Sequence, residues 1–250
     1  MANNRRSGKH CRRRRLKNLF LLTARECGPL MCLLMPLRDR PYMVGVDATC
    51  WDSEHSAGKW DYLSSIAEEG HHLIIASYMH RLKPNSRVLD VGCGQGVLNT
   101  ILRRFGYANY IGIDISETAI AFAARHGDAI TAFHAVAGER FDTNERFDVI
   151  IFNESLYYFA HPLKTMEAYS CFLAEDGIFI VSMAFSGFRT GLLKLKMWLE
   201  IESRLQVIDE TSVSRPNGET WIVKAVAASA TATRLRDRYF DPLDRAIQSS

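Results

Sequence analysis

Short apolar runs alternate with amphipathic stretches from residue 88 onward, and this alternation predicts the secondary structure. The apolar runs are bounded by glycine, proline or polar residues, as strands usually are. The stretches between them space their apolar residues three or four positions apart, as helices do. The predicted strands are Val88–Val91, Tyr110–Ile115, Ala129–Val136, Arg146–Asn153, Ile178–Met183, Leu205–Val213 and Thr220–Ala227.

The fourth apolar run, Phe147 to Phe152, is almost unbroken, as expected of a strand that is covered on both faces. The turn at 215–218 joins the last two strands into a hairpin. Strands that alternate with helices predict parallel pairing and helices on both faces of the sheet. The fold class is therefore α/β: a doubly wound, Rossmann-like sheet of seven strands, mostly parallel, with a C-terminal antiparallel hairpin.

Three glycines, Gly92, Gly94 and Gly96, follow the first predicted strand and open onto a predicted helix. Without Cβ atoms they let the chain turn sharply and let a ligand lie against the backbone. Such a ligand meets free N–H groups at the start of the helix. Cys93, between the glycines, is interpreted as a small residue that a tight turn tolerates.

Two acidic residues indicate which ligand the turn would bind. Asp90 lies two positions before the first glycine, where its charge would repel a phosphate and favour an amino group or a sulfonium. Asp114 ends the second predicted strand, 22 residues after Gly92, a spacing at which a carboxylate can accept both ribose hydroxyls. Val97 replaces the third glycine of the dinucleotide fingerprint. These residues indicate a nucleoside with a positively charged tail.

Three segments resemble the motifs of the class I S-adenosylmethionine-dependent methyltransferases: Val88–Val97, Ile111–Asp114 and Phe147–Tyr158. The resemblance spans roughly residues 60 to 227, most of the chain. It implies S-adenosylmethionine as the cofactor and methyl transfer to O or N of a small-molecule acceptor by in-line displacement. The cofactor-binding residues that we expect are Asp90, Gly92, Cys93, Gly94, Gly96, Asp114, Ile115, Glu139 and Asn153.

The resemblance also suggests what these residues bind. The glycine loop would hold the methionine part and Asp114 the ribose. Glu139 follows the third strand, where the family more often has an Asp that accepts the adenine amino group, and Ile115 would pack on the adenine face.

The predicted catalytic residues, Glu154 and Tyr157, follow the fourth strand. Glu154 would accept an acceptor proton or hold an ammonium, or would instead serve only as a hydrogen-bonding partner or a helix N-terminal charge. Tyr157 would shape the pocket. The short stretch Asn153–Tyr158 is somewhat similar to that of the rhizobial nodulation-factor N-methyltransferases, which act on an amino sugar. It lacks the Pro-Pro loop of amino-methylating nucleic-acid enzymes, so we expect no nucleic-acid substrate.

The acceptor pocket is expected to come from the least patterned segments, 51–78 and 185–202. Within the first of these, Trp60, Tyr62 and His55 would line the site or would merely pack a helix onto the sheet. The other histidines are expected at the surface or at strand ends. No histidines or cysteines stand at metal-ligand spacing, so no metal is expected.

Charge is distributed unevenly along the chain. Residues 1–40 carry eleven Lys and Arg against two acids, whereas the remaining 210 residues carry 20 basic and 26 acidic groups. The body therefore has no basic surface of the kind that nucleic-acid binding requires. Six cysteines without a C-x-x-C pair indicate buried, reduced thiols and a cytoplasmic protein.

The chain divides into a basic segment at 1–43, a methyltransferase domain at 44–228 that includes cap helices at 51–82, and a polar tail at 229–250. In the basic segment, charged and helix-breaking residues interrupt the apolar clusters Leu16–Leu22 and Leu30–Leu37 before they reach the length of a membrane span. Three interpretations stay open: a disordered tail, contact with an anionic membrane surface, or a true start at Met35 or Met43.

Two other functions stay open. One is a methyltransferase-like protein that binds the cofactor without turnover. The other, an NAD-dependent oxidoreductase, is disfavoured by Asp90 and Val97.

Overall fold

The computed structural model describes residues 47–185 and 188–240. The chain before residue 47 lies outside the described residues, so the interpretations of the segment 1–43 stay predictions. The described residues form seven strands and seven α-helices. The strands are β1 Arg87–Val91, β2 Asn109–Asp114, β3 Thr131–Ala135, β4 Phe147–Asn153, β5 Leu173–Phe185, β6 Gln206–Ser214 and β7 Thr220–Ala227. The helices are α1 Ala48–Ser56, α2 Ile66–Leu82, α3 Val97–Leu102, α4 Glu117–Ala123, α5 Pro162–Tyr169, α6 Phe188–Glu202 and α7 Ser229–Tyr239.

All seven strands belong to one sheet in the order β3-β2-β1-β4-β5-β7-β6. The first five strands are parallel, whereas β7 runs antiparallel to both β5 and β6. The predicted fold class is confirmed. The predicted ends of two strands are wrong: β3 is shorter at both ends, and β5 begins at Leu173, where it pairs with Phe147 before a register shift.

Hydrophobic side chains pack on both faces of the sheet. Val149, Ile150, Ile151 and Phe152 of β4 are fully buried, because this strand lies inside the sheet and alternate side chains enter opposite layers. One layer includes Met79 of α2, Leu102 of α3 and Leu235 of α7. The other includes Met166 of α5 and Trp198 of α6. This is the doubly wound arrangement that the sequence predicts.

Local capping fixes where two helices begin. The side chain of Asp47 accepts the amide of Cys50 and starts α1, and the hydroxyl of Ser116 accepts the amide of Ala119 and starts α4. At the other end of the chain, α7 occupies part of the predicted polar tail and buries Ala232 and Leu235 against the sheet.

The cysteine prediction is wrong in part. Cys50, Cys93 and Cys171 are free thiols, as expected, but Cys50 and Cys171 are exposed and only Cys93 is buried. The other three cysteines lie outside the described residues. No helix within the described ranges is long and apolar enough to cross a membrane.

Candidate active site

A cavity of about 700 Å³ opens where the carboxyl ends of the strands meet. It lies beside β1, whose neighbours β2 and β4 lead the chain in opposite directions, the position where doubly wound sheets bind ligands. Ten of the eleven predicted site residues line it: Asp90, Gly92, Cys93, Gly94, Asp114, Ile115, Glu139, Asn153, Glu154 and Tyr157. Gly96 does not line the cavity; it precedes α3 with a φ of 76°, and a Cβ there would lie 3.2 Å from Ala123.

The glycine loop is tied to the end of β2. The amides of Gly92 and Cys93 both donate to the carbonyl of Ile113, at 2.8 and 3.0 Å. Gly92 has a φ of 78°, and a Cβ there would lie 2.5 Å from the Cβ of Ser155, so only glycine fits. Gly94 has a φ of 53°, but a Cβ there would have no heavy atom within 4 Å. The space over Gly94 therefore belongs to the cavity.

Asp90 carries a buried oxygen without a partner. The side chain is 1% exposed, and its Oδ2 accepts the hydroxyl of Tyr110 at 2.7 Å. Its Oδ1 has no hydrogen-bond partner among the described residues. Burial raises the pKa of Asp90 to about 7, against the lowering effect of the Tyr110 bond. A cationic group in the cavity would satisfy this carboxylate and favour its charged form.

Asp114 is held rigidly at the end of β2. Its Oδ1 accepts the amide of Ser116 and its Oδ2 the amide of Gly94, both at 2.9 Å. Burial raises the pKa of Asp114, while the two amide bonds lower it. Each carboxylate oxygen keeps a further lone pair, so the group can still accept the two hydroxyls of a ribose.

Helix α1 forms a wall beside this carboxylate. Oδ1 of Asp52 accepts the hydroxyl of Ser116 at 2.6 Å and the amide of Thr118 at 3.0 Å. His55 lies on the next turn, and its Nδ1 is 3.3 Å from the side-chain Nε2 of Gln95 in the glycine loop. Sequence reasoning missed Asp52 and Gln95, because their partners lie 40 or more residues away in the chain. His55, Trp60 and Tyr62, which were expected either to line the site or to pack a helix onto the sheet, line the cavity.

The segment after β3 supplies Glu139. It belongs to a short 3₁₀ turn, Gly138–Arg140, and its side chain is exposed at the cavity edge. The turn is fixed because the Tyr169 hydroxyl donates to the Gly138 carbonyl at 2.8 Å. Across the site, Oδ1 of Asn153 is buried without a hydrogen-bond partner in the described part of the chain. The contacts of Glu139 and Ile115 with adenine stay predictions.

Glu154 is the centre of a part-buried hydrogen-bond group after β4. Its φ is 55°, a conformation that few non-glycine residues adopt. Its Oε1 accepts the Ser182 hydroxyl at 3.0 Å, and its Oε2 accepts the Tyr157 hydroxyl and the Ala184 amide, both at 2.9 Å. Burial raises the pKa of Glu154, and the charge of Lys194 lowers it. These bonds favour the interpretation of Glu154 as a hydrogen-bonding partner of neighbouring residues.

Lys194 of α6 packs beside Glu154 and its hydrogen-bond partners. Its Nζ donates to the carbonyl of Ala184 at 2.7 Å and lies 3.7 Å from the centre of the Tyr157 ring. Burial lowers the pKa of Lys194, while Glu154 raises it. In the sequence Lys194 is one polar position on an amphipathic helix, so no local signal distinguishes it.

The expectation that His71 and His72 lie at the surface or at strand ends is wrong. Both belong to α2, are 2% exposed and line the cavity. Their burial lowers the pKa of His71 to about 2 and that of His72 to about 4, so both rings are neutral. The His71 ring is parallel to that of Trp221, with the ring centres 5.0 Å apart.

Residues 66–217 match the family model described as a methyltransferase domain. The ubiquinone biosynthesis O-methyltransferase of Bradyrhizobium diazoefficiens is 33% identical over 99 residues, which are 38% of this chain and 39% of that protein. The ribosomal protein L11 methyltransferase of Staphylococcus epidermidis is 30% identical over 149 residues, 56% of this chain and 43% of that protein. The chain thus spans about two fifths of the length of these curated relatives.

Solved structures share the fold. The N-methyltransferase NodS from Bradyrhizobium japonicum WM9, in complex with S-adenosylhomocysteine, has a TM-score of 0.59 at 16% identity, covering 71% of this chain and 99% of that one. Magnesium protoporphyrin IX methyltransferase from Synechocystis PCC 6803, with bound S-adenosylmethionine, has a TM-score of 0.54 at 17% identity, covering 74% and 100%.

Proposed function

Because this chain belongs to the methyltransferase domain family, as its motifs predict, we propose that it transfers a methyl group from S-adenosylmethionine to N or O of a small molecule. The proposal depends on one observation above all. The unpaired oxygen of Asp90 and the open space over Gly94 adjoin the fixed carboxylate of Asp114 in a single cavity. A nucleoside with a cationic tail satisfies all three features.

The chain's residues fit this cofactor from end to end. Asp90 and the amides of the glycine loop would hold the methionine part, and Asp114 would accept the ribose hydroxyls. Ile115 and Glu139 would flank the adenine, while Asn153 offers its unpaired oxygen near the centre of the site. When bound, S-adenosylmethionine supplies an activated methyl group, so the protein need only align the acceptor with it and exclude water.

The proposed role of Glu154 is to position Tyr157. Two oxygens that accept three hydrogen bonds hold the phenol ring in one orientation. The ring then forms one side of the channel through which the acceptor approaches. Tyr157 is the group that would contact the acceptor, and Glu154 acts through it.

The cavity volume supports a small acceptor. Small-molecule sites usually occupy roughly 300–1,000 Å³. A cavity of about 700 Å³ holds the cofactor together with an acceptor of modest size. It extends beyond the cofactor residues to side chains of α2, α6 and β7, which provide a separate acceptor region.

Calorimetry and a labelled-methyl assay test the proposal. The full chain is titrated with S-adenosylhomocysteine and, separately, with NADH. We expect binding of the nucleoside thioether and none of the dinucleotide, followed by label transfer from S-adenosylmethionine to members of a small-molecule panel. Binding without transfer to any acceptor would support the non-catalytic alternative, and binding of NADH alone would support the oxidoreductase.

A further inference from the structure

The acceptor side of the cavity is formed by one face of α2. Glu68 and His71 lie one helical turn apart, are 4% and 2% exposed, and both line the cavity. No hydrogen bond joins His71 to any described residue, although the imidazole has a donor and an acceptor nitrogen. A buried polar ring that faces a cavity without a partner indicates that a ligand supplies one.

Glu68 has one oxygen engaged and one free. Its Oε1 accepts Nη2 of Arg215 at 2.5 Å, and its Oε2 has no hydrogen bond within the described ranges. Arg215 also donates to the carbonyl of Ala67 at 2.8 Å and to Glu219 at 3.0 Å. The guanidinium is therefore occupied by protein acceptors, while Glu68, which lines the cavity, keeps one carboxylate oxygen without a hydrogen bond in the described part of the chain.

The cavity lining carries six carboxylates against two cationic side chains, a formal excess of four negative charges that the raised pKa of Asp90 reduces. Only two of its described residues, Lys194 and Arg215, are cationic, and both donate to protein oxygens. Its carboxylates are Glu68, Asp90, Asp114, Glu139, Glu154 and Glu219. S-adenosylmethionine, with an ammonium, a carboxylate and a sulfonium, offsets only part of this charge. The remaining negative potential favours a cationic acceptor and repels an anionic one.

Aromatic rings strengthen the preference for a cationic acceptor. Trp60, Tyr62 and Tyr158 line the cavity, whereas the rings of Tyr157 and Trp221 already face the protein cations Lys194 and Arg215. Aromatic faces attract ammonium groups, most strongly where water is excluded. Carboxylates and ring faces together form the kind of surface that selects an organic cation over a neutral or anionic analogue.

We propose that the acceptor is a primary or secondary amine, which Glu68 and His71 hold as its ammonium form. This inference rests on the proposed methyl transfer. Oε2 of Glu68 accepts an N–H of the ammonium, and a nitrogen of His71 makes a second hydrogen bond to the acceptor. Burial raises the pKa of Glu68, which suits it to take up the proton that the amine must lose.

The ammonium passes one proton to Oε2 of Glu68, which frees the nitrogen lone pair. That lone pair forms the new bond to the methyl carbon as the methyl–sulfur bond breaks, and the sulfur keeps the electron pair of the broken bond. The products are the N-methylated ammonium and S-adenosylhomocysteine, and Glu68 then releases its proton to water.

Binding to the complex with S-adenosylhomocysteine tests the inference without turnover. The probes are benzylamine, benzyl alcohol and benzoate, which differ mainly in the charge and hydrogen bonding of one group. We expect benzylamine to bind at least about tenfold more tightly than either analogue, as a hydrogen-bonded charge pair allows. Equal affinities, or tighter binding of the alcohol or the acid, would overturn the inference.

Two neighbouring residues provide matched variants. Glu68→Gln should weaken benzylamine binding about tenfold or more and leave S-adenosylhomocysteine affinity unchanged. Glu69→Gln makes the same change one residue along α2, where the carboxylate pairs with Arg104 outside this cavity, and should alter neither affinity. Equal effects of the two variants on benzylamine would overturn the inference.

Since Glu68→Gln also removes a buried charge from Arg215, a second variant is needed. His71→Phe keeps an aromatic ring beside Trp221 but removes both nitrogens, and should weaken benzylamine binding about threefold or more. Unchanged binding would overturn the role of His71. Failure of the unmodified chain to bind S-adenosylhomocysteine would instead refute the proposed function, so the two failures are distinguishable.

Discussion

Substituting alanine for Gly92 or for Gly94 distinguishes the role of the glycine loop in folding from its role in binding. Both Gly92 and Gly94 have positive φ, so alanine at either position costs about 1–2 kcal/mol of stability. At Gly92 the new Cβ would lie 2.5 Å from the Cβ of Ser155, and such overpacking costs a further ~1–3 kcal/mol. At Gly94 the new Cβ meets no atom of the protein.

Gly92→Ala should therefore mainly reduce stability, whereas Gly94→Ala should mainly reduce ligand affinity. We expect Gly92→Ala to lower the free energy of unfolding by about 2–5 kcal/mol and Gly94→Ala by only about 1–2 kcal/mol. Gly94→Ala should nevertheless weaken S-adenosylhomocysteine binding at least about tenfold, because its methyl group enters the ligand's space. Denaturant titration measures the first quantity and calorimetry the second.

Each variant is the control for the other, since both make the same change two residues apart. Normal S-adenosylhomocysteine affinity in Gly94→Ala would show that the ligand does not lie over this glycine. A loss of stability in Gly94→Ala as large as that in Gly92→Ala would refute the reasoning from the Ser155 contact.

Three further predictions concern carboxylates that line the cavity. Asp114→Asn should weaken S-adenosylhomocysteine binding about tenfold or more by calorimetry, because a charged acceptor for the ribose is lost; Asp128→Asn, at an exposed site, should not. The pKa of Asp90 is raised to about 7, so its contribution to stability is present below pH ~4 and is lost as the pH rises towards 7. Asp90→Asn should remove this loss, and an unchanged pH dependence of unfolding would contradict the assignment. Glu154→Gln should lower the methyl-transfer rate more than it changes cofactor affinity, since it loosens Tyr157; an equal loss of both would refute a role limited to Tyr157.

The cofactor side of the site was predictable because its residues are close together in the chain. Asp90, Gly92 and Gly94 lie within five consecutive residues, and Asp114 ends the next strand. In a parallel sheet the carboxyl ends of neighbouring strands meet at one edge, so local patterns predict a shared site. The strands of the sheet were predictable for the same reason, because the apolar runs that mark them are local features of the sequence.

The acceptor side was predictable only as a region. The segments 51–78 and 185–202 do contribute residues, but Arg215, between β6 and β7, reaches Glu68 from 147 positions away, and Trp221 of β7 stacks on His71. His71 and His72 looked like surface residues because the apolar pattern of α2 does not show which of its polar positions turn inward. Such positions are decided by tertiary packing, for which the sequence has no local pattern.

The Asp52 carboxylate ties α1 to the amino end of α4, beside the carboxyl end of β2. We expect a nucleoside that enters or leaves past α1 to require the separation of these two elements. Loss of the Asp52–Ser116 contact should therefore change the association and dissociation rates together and leave their ratio nearly constant. The time that the demethylated product stays bound should then depend on a contact between two protein side chains.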